Sequence, residues 1–138
     1  MKDYSYGVCP YKIEERKIFL LLNKTSSISD WNFFKGKMEQ DETIVETALR
    51  EFFEEAGVML QERDLESYFA CKNPKKDIGI FLYSYQNERF KFDKREIYLA
   101  EWVELYSIRV SKNQRKILND IILYFKTKLK YINFIMKE

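Results

Sequence analysis

The sequence predicts a mixed α/β (α+β) domain. Short apolar runs, bounded by charges and turn residues, recur along the chain and read as strands. Two longer segments repeat their apolar residues at helical spacing. No Pro-rich or Gly/Ser-rich linker interrupts the 138 residues. That length suits a single domain spanning 1–138. With 46% hydrophobic residues, a real core is expected and disorder is not.

The elements follow in order. Tyr4–Tyr11 is aromatic and extended in character, and Pro10 suits a strand end. Lys17–Asn23 is an apolar run with charged flanks, read as a buried strand. Lys24–Asp30 is polar and reads as a loop. Trp31–Phe34 leads into Gly36 as a short strand and turn. Thr43–Ala56 is the clearest helix. Thr43 and Glu46 form a capping box, and Gly57 suits the left-handed position that ends a helix. Val45, Ala48, Leu49, Phe52 and Ala56 fall on one stripe. Leu65–Ala70 and Ile78–Tyr85 read as strands, with a turn at Asn73-Pro74-Lys75-Lys76 between them. Ile97–Leu105 is a further extended stretch. Lys112–Ile132 is a second amphipathic helix, carrying Ile117, Leu118, Ile121, Ile122, Phe125 and Leu129.

The chain contains no histidine. Ser-His-Asp and Cys-His catalysis are therefore excluded, as is His-ligated zinc. Acid–base chemistry must come from carboxylates, Lys, Tyr, Cys or metal-bound water. Cys9 and Cys71 do not make a disulfide framework, so both are expected to be reduced. The longest apolar runs, such as Ile18–Leu22, are too short to cross a bilayer. A cytoplasmic protein without a membrane partner is the expectation.

The net charge of +2 conceals a strong asymmetry. Residues 37–66 carry three basic and ten acidic groups, and residues 107–138 carry eight basic and two acidic. A solvated helix face is the ordinary meaning of such a run. The spacing inside the acidic block argues otherwise. With Glu51 at 0° on a helical wheel, Glu55 lies at about 40° and Glu54 at about 300°. Like charges this close repel, and they sit near the helix C-terminus, where the macrodipole disfavours anions. A divalent cation removes both penalties. Hard oxygen ligands suit Mg²⁺ or Mn²⁺. Arg50 lies between Glu46 and Glu54 on the wheel and can pair with either.

The flanks extend this into a pattern. Gly36, Glu42, Arg50-Glu51-Phe52-Phe53-Glu54-Glu55 and Gly57-Val58 fill every fixed position of G-x5-E-x7-R-E-U-x-E-E-x-G-U, where U is apolar. The segment resembles the box of the Nudix (MutT-like) hydrolases. The resemblance implies an α/β/α sandwich with a mixed sheet between helices. It also implies hydrolysis of a phosphoanhydride in a nucleoside diphosphate linked to another moiety. Carried onto this chain, Glu51, Glu54 and Glu55 would bind Mg²⁺, with the Gly36 carbonyl as a further ligand. Glu42 and Arg50 would support them. Glu54 and Glu51 are both eligible as the general base. Glu96, six residues before Trp102, resembles an additional metal ligand or base seen in diadenosine-polyphosphate-type members. Its ordinary reading is a solvated turn residue beside Lys94 and Arg95.

The substrate is less constrained. Trp31-Asn32-Phe33-Phe34-Lys35-Gly36-Lys37 resembles the W-x-F-P-K-G-K run of dinucleoside polyphosphate hydrolases and RNA 5′-end pyrophosphohydrolases, with Phe34 in place of Pro. Lys35 and Lys37 are candidate phosphate contacts. Phe81, Tyr83 and Tyr85 alternate, and Tyr83 is a candidate base-stacking residue. The basic terminal helix could attract an RNA 5′ end. The spacing from Val58 to Pro74 resembles ADP-ribose-hydrolysing members, although the turn around Pro74 explains it without a substrate. The leading expectation is a dinucleoside polyphosphate or a 5′-triphosphorylated RNA end. The alternatives are an ADP-ribose or (d)NTP pyrophosphatase, and a non-catalytic module that senses a nucleotide.

Overall fold

Alternation along the strands sorts the apolar residues between two faces of one sheet. The structure is a computed structural model that describes residues 1–136, with side-chain surroundings through Lys130. The elements are β1 (Asp3–Glu14), β2 (Lys17–Lys24), β3 (Phe34–Lys37), α1 (Ile44–Ala56), β4 (Leu65–Lys72), β5 (Lys76–Ser84), β6 (Leu99–Glu104) and α2 (Arg115–Met136). The strands form a six-stranded sheet in the order β4-β5-β1-β2-β6, with β3 also paired to β1. β1 runs parallel to β5 and antiparallel to β2 and β3, so the sheet is mixed.

One face packs under α1 and the other under α2. Tyr6 and Val8 of β1, Leu21 of β2 and Phe34 of β3 meet Ala48, Phe52 and Ala56 of α1. Cys9, Ile18, Leu20, Leu22, Ile78, Ile80 and Leu82 meet Ile117, Ile121 and Phe125 of α2. Burying a side chain such as Phe52 contributes roughly 1.5–3 kcal/mol. The result is an α/β/α layering, as expected. The basic helix α2 therefore lies across the sheet from α1 and its carboxylates. Among the described residues, no helix is long and apolar enough to cross a membrane. Both cysteines are free.

Several boundaries differ from expectation. β1 continues through Pro10 instead of ending there. It changes partner on one side, from β3 at Ser5–Val8 to β2 at Tyr11–Glu14. Pro10 falls in the gap between these partners, where half the ladder is not required. Gly36 lies inside β3 opposite Tyr6, not in a turn. The stretch before it makes only isolated bridges, Asn32 to Asn23 and Trp31 to Val110. The Phe34 ring explains the absence of Pro there. It is fully buried, edge-on to Phe52 at 5.9 Å and stacked on Phe92 at 5.8 Å. In the turn before β5, the Asn73 side chain accepts from the amides of Lys75 and Lys76 at 2.9 and 2.8 Å.

Candidate metal and phosphate site

Local signals set the helix that carries the site. Thr43 Oγ1 accepts from the Glu46 amide at 3.1 Å, and Glu46 Oε1 accepts from the Thr43 amide at 2.9 Å. Gly57 ends α1 at φ 74°, a left-handed conformation that glycine adopts without strain. The loop before β6 then completes the helix end. The Lys91 amide donates to Ala56 O at 2.8 Å, and the Asp93 amide donates to Glu55 O at 3.0 Å. These bonds satisfy carbonyls that the end of a helix leaves unpaired.

Arg50 organises the carboxylates. Its Nε and Nη2 donate to both Glu42 oxygens at 2.7 and 2.9 Å, a forked pair. Nη1 donates to Glu51 Oε1 at 2.9 Å and lies 3.4 Å from Glu54. Nη2 also donates to Lys37 O at 2.9 Å, tying α1 to the end of β3. The expected alternative partner, Glu46, makes no hydrogen bond or salt bridge with Arg50 among the described residues, and its carboxylate accepts from the Thr43 amide instead. Glu42 additionally accepts from the Glu39 amide at 2.8 Å and from the Thr47 hydroxyl at 3.0 Å. The bonds from Arg50 hold Glu42 down to about 2. They also raise Arg50 above its ordinary value.

The other carboxylates differ sharply in environment. Glu55 is buried, and its Oε1 has no hydrogen-bond partner. Burial pushes Glu55 up to about 9, reinforced by the charges of Glu51 and Glu96. Burial also raises Glu51, against the pull of Arg50. Glu54 is the open member, with its side chain 55% exposed. Glu96 is exposed and lies near enough for its charge to act on both Glu51 and Glu55. Buried Ile97 anchors it in the loop.

Gly36 gives this cluster its room. A Cβ there would coincide with the Glu51 carboxyl group. Gly36→Ala must therefore displace Glu51 from Arg50. A displacement of about 1 Å at a reacting site can cost ~100-fold. We expect a loss of that order in kcat/KM, with Glu42 and Arg50 still paired. Side-by-side kinetics and thermal melts check this. A fully active variant would remove Glu51 from the site.

The donor set fits a hard divalent cation. Glu51, Glu54, Glu55 and the Gly36 carbonyl offer oxygen alone, and Glu55 Oε1 is buried without a partner. Among the described residues, no three acidic side chains yet converge as a ligand group. Glu54, with its side chain 55% exposed, has the freedom to turn inward.

Two of the remaining candidates part company. Lys35 is half-buried, and burial together with the nearby Lys76 charge brings it down to about 8. The charges of Glu55 and Glu51 act on it in the opposite sense, so it belongs to the same electrostatic neighbourhood. Lys37 is exposed and lies 4.0 Å from Asp3. Tyr83 is corrected outright. It is 5% exposed and sits in the core beneath α1, because alternation along β5 turns it inward. A ring packed there has no open face for a base. Tyr85 stacks instead on Phe90 at 5.6 Å, and Trp102 lies 4.9 Å from Tyr85. Sequence reasoning also missed Thr47 and the Glu39 amide as supports of Glu42. Their signal is the position of Glu42 just before the capped helix.

The NUDIX domain family model matches residues 1–121. The chain belongs to the NUDIX family. A curated relative, nucleoside diphosphate-linked moiety X motif 6 of Mus musculus, is 27% identical over 127 residues. That match covers 80% of this chain, which spans 37% of the relative's length. A Caenorhabditis elegans Ap4A hydrolase in a binary complex superposes with a TM-score of 0.71 at 19% identity, covering 91% of this chain and 98% of that one. The NUDIX domain of Shewanella oneidensis NrtR, complexed with ADP-ribose, gives 0.69 at 11% identity, covering 91% and 89%. At such identities these structures share the Nudix fold. This chain carries the intact box on that fold.

Proposed function

We propose that this domain hydrolyses a phosphoanhydride bond in a dinucleoside polyphosphate, with Mg²⁺ or Mn²⁺ as cofactor. One observation carries the reading. The forked Arg50–Glu42 pair fixes Glu51 against Gly36, beside a buried and partnerless Glu55 oxygen. A carboxyl group buried without a partner beside a second carboxylate is costly in the fold alone, and a cation would remove that cost. Bound Mg²⁺ neutralises phosphate charge and acidifies its water.

The chain's own residues do the rest. Glu51, Glu54, Glu55 and the Gly36 carbonyl would hold the ion. Arg50 keeps Glu51 from swinging away and holds Lys37 O in place. Glu54, the exposed member, can accept a proton from the attacking water. Glu96 contributes charge from the loop. Lys35 can meet phosphate oxygens as a point charge. The Trp31–Lys37 run supports a dinucleoside polyphosphate, as does the shared fold of an Ap4A hydrolase that this chain covers almost entirely. The separation of the basic α2 from α1 by the sheet favours such a substrate over an RNA tail.

The test is a panel of diadenosine tetraphosphate, ADP-ribose, dATP and 5′-triphosphorylated RNA, with Mg²⁺ or Mn²⁺ and product chromatography. Diadenosine tetraphosphate should lead in kcat/KM by at least about tenfold. Faster cleavage of any other substrate overturns the substrate reading. Binding without turnover would make the domain a nucleotide sensor instead.

A further inference from the structure

Phe53 stands out on α1. Its neighbour Phe52 is fully buried, but Phe53 is 46% exposed. It belongs to neither core cluster, and its ring makes no aromatic pair among the described residues. A large ring left in water loses the benefit of burial. Its position between Glu51 and Glu54 does not require an apolar residue for packing.

The ring faces a cavity of about 820 Å³, within the size range of small-molecule sites. Glu54 lines the same cavity. The opposite wall is the loop before β6, where Phe90 and Phe92 stack at 5.5 Å. Lys91, Asp93, Lys94 and Arg95 also line it, so three cations outnumber the two carboxylates of Glu54 and Asp93. Among the described residues, Lys91 and Lys94 make no salt bridge, and Arg95 pairs with Asp93 at 3.1 Å. Basic side chains here also offset the negative end of α1, which has no basic residue in its last turn. That accounts for the charge but not for the exposed ring. An aromatic floor, a cationic rim and a shared wall at Glu54 describe a site for a nucleotide.

We propose that this cavity is the subsite for the second nucleoside of a dinucleoside polyphosphate, with its base stacked on Phe53 and its adjoining phosphates facing Lys94 and Arg95. The inference rests on the hydrolase reading above. It makes Phe53 a specificity-determining residue that discriminates substrates with two nucleosides from those with one.

The experiment compares diadenosine tetraphosphate with adenosine 5′-tetraphosphate, which lacks the second nucleoside. Base–aromatic stacking is of the size that Phe53→Ala should lower the kcat/KM preference for the dinucleotide about tenfold. Phe53→Tyr should restore it. Lys94→Ala should lower the same preference through KM. An unchanged ratio in Phe53→Ala overturns the subsite. If the wild-type protein cleaves neither compound, the hydrolase reading fails separately. Calorimetry with a methylene-bridged dinucleoside tetraphosphate and its mononucleoside counterpart then decides the subsite. Tighter binding of the dinucleotide, abolished in Phe53→Ala, supports it. Equal binding overturns it.

Discussion

Glu55→Gln should abolish Mg²⁺-dependent turnover while stabilising the metal-free protein at alkaline pH. Both effects follow from one buried carboxyl group. In the fold its pKa is pushed from the ordinary 4.5 up to about 9, first by burial and then by the charges of Glu51 and Glu96. Between those values the unfolded chain has released this proton and the fold retains it. The unfolded state thus binds fewer protons, and stability falls as pH rises from about 5 to 9. Each pH unit in that window costs up to about 1.4 kcal/mol. Glutamine carries no proton to lose, so the variant's stability should be flatter with pH. Mg²⁺ should raise the wild-type melting temperature more at pH 9 than at pH 6, because it favours the ionised carboxylate. Glu54→Gln provides the contrast. It should also stop turnover, by a factor of ~100 or more. Its exposed side chain should leave stability within about 0.5 kcal/mol. Melting curves across pH, with and without Mg²⁺, read both variants. A wild-type pH slope in Glu55→Gln, or wild-type turnover in both variants, refutes the assignment.

The second large effect belongs to Arg50. Its guanidinium donates to Glu42, Glu51 and Lys37 O at 2.7–2.9 Å. Arg50→Ala leaves the carboxylates of Glu42 and Glu51, with side chains 16% and 14% exposed, without their shared cation. The expected loss is about 3 kcal/mol of stability. Arg50→Lys keeps the charge but not the fork, so it should fold better than Arg50→Ala. It should still need 10–100-fold more Mg²⁺ for half-maximal rate, as when the support of a metal ligand is lost. Urea unfolding and Mg²⁺ titrations measure the two losses independently. Wild-type Mg²⁺ dependence in Arg50→Lys would reduce Arg50 to an ordinary ion pair.

What could be read before folding depended on how local its cause was. The bounds of α1 rest on Thr43, Glu46 and Gly57, all within reach of the helix ends, and the structure reproduces them. The carboxylate set follows from 3.6-residue periodicity. The partner of Arg50 did not follow from that rule. Glu42 lies eight residues away, outside the helix, and becomes available only because the loop from β3 returns across α1. Pro10 as a strand end was a sound local inference, but a change of neighbours along β1 relieved the demand for its missing donor. The inward turn of Tyr83 depends on strand register, and composition cannot fix register. The cavity beside Phe53 joins residues some forty positions apart, and no periodicity relates them.

The two amides that the pre-β6 loop lends to α1 make this end of the molecule open as a unit. Lys91 and Asp93 donate to the last carbonyls of the helix that carries Glu54 and Glu55. Solvent deuterium can replace those two hydrogens only when loop and helix part. Their exchange rates therefore act as a built-in gauge of how often the acidic cluster comes apart. A ligand that bridges the cluster and the loop should slow both together, even one that is never cleaved.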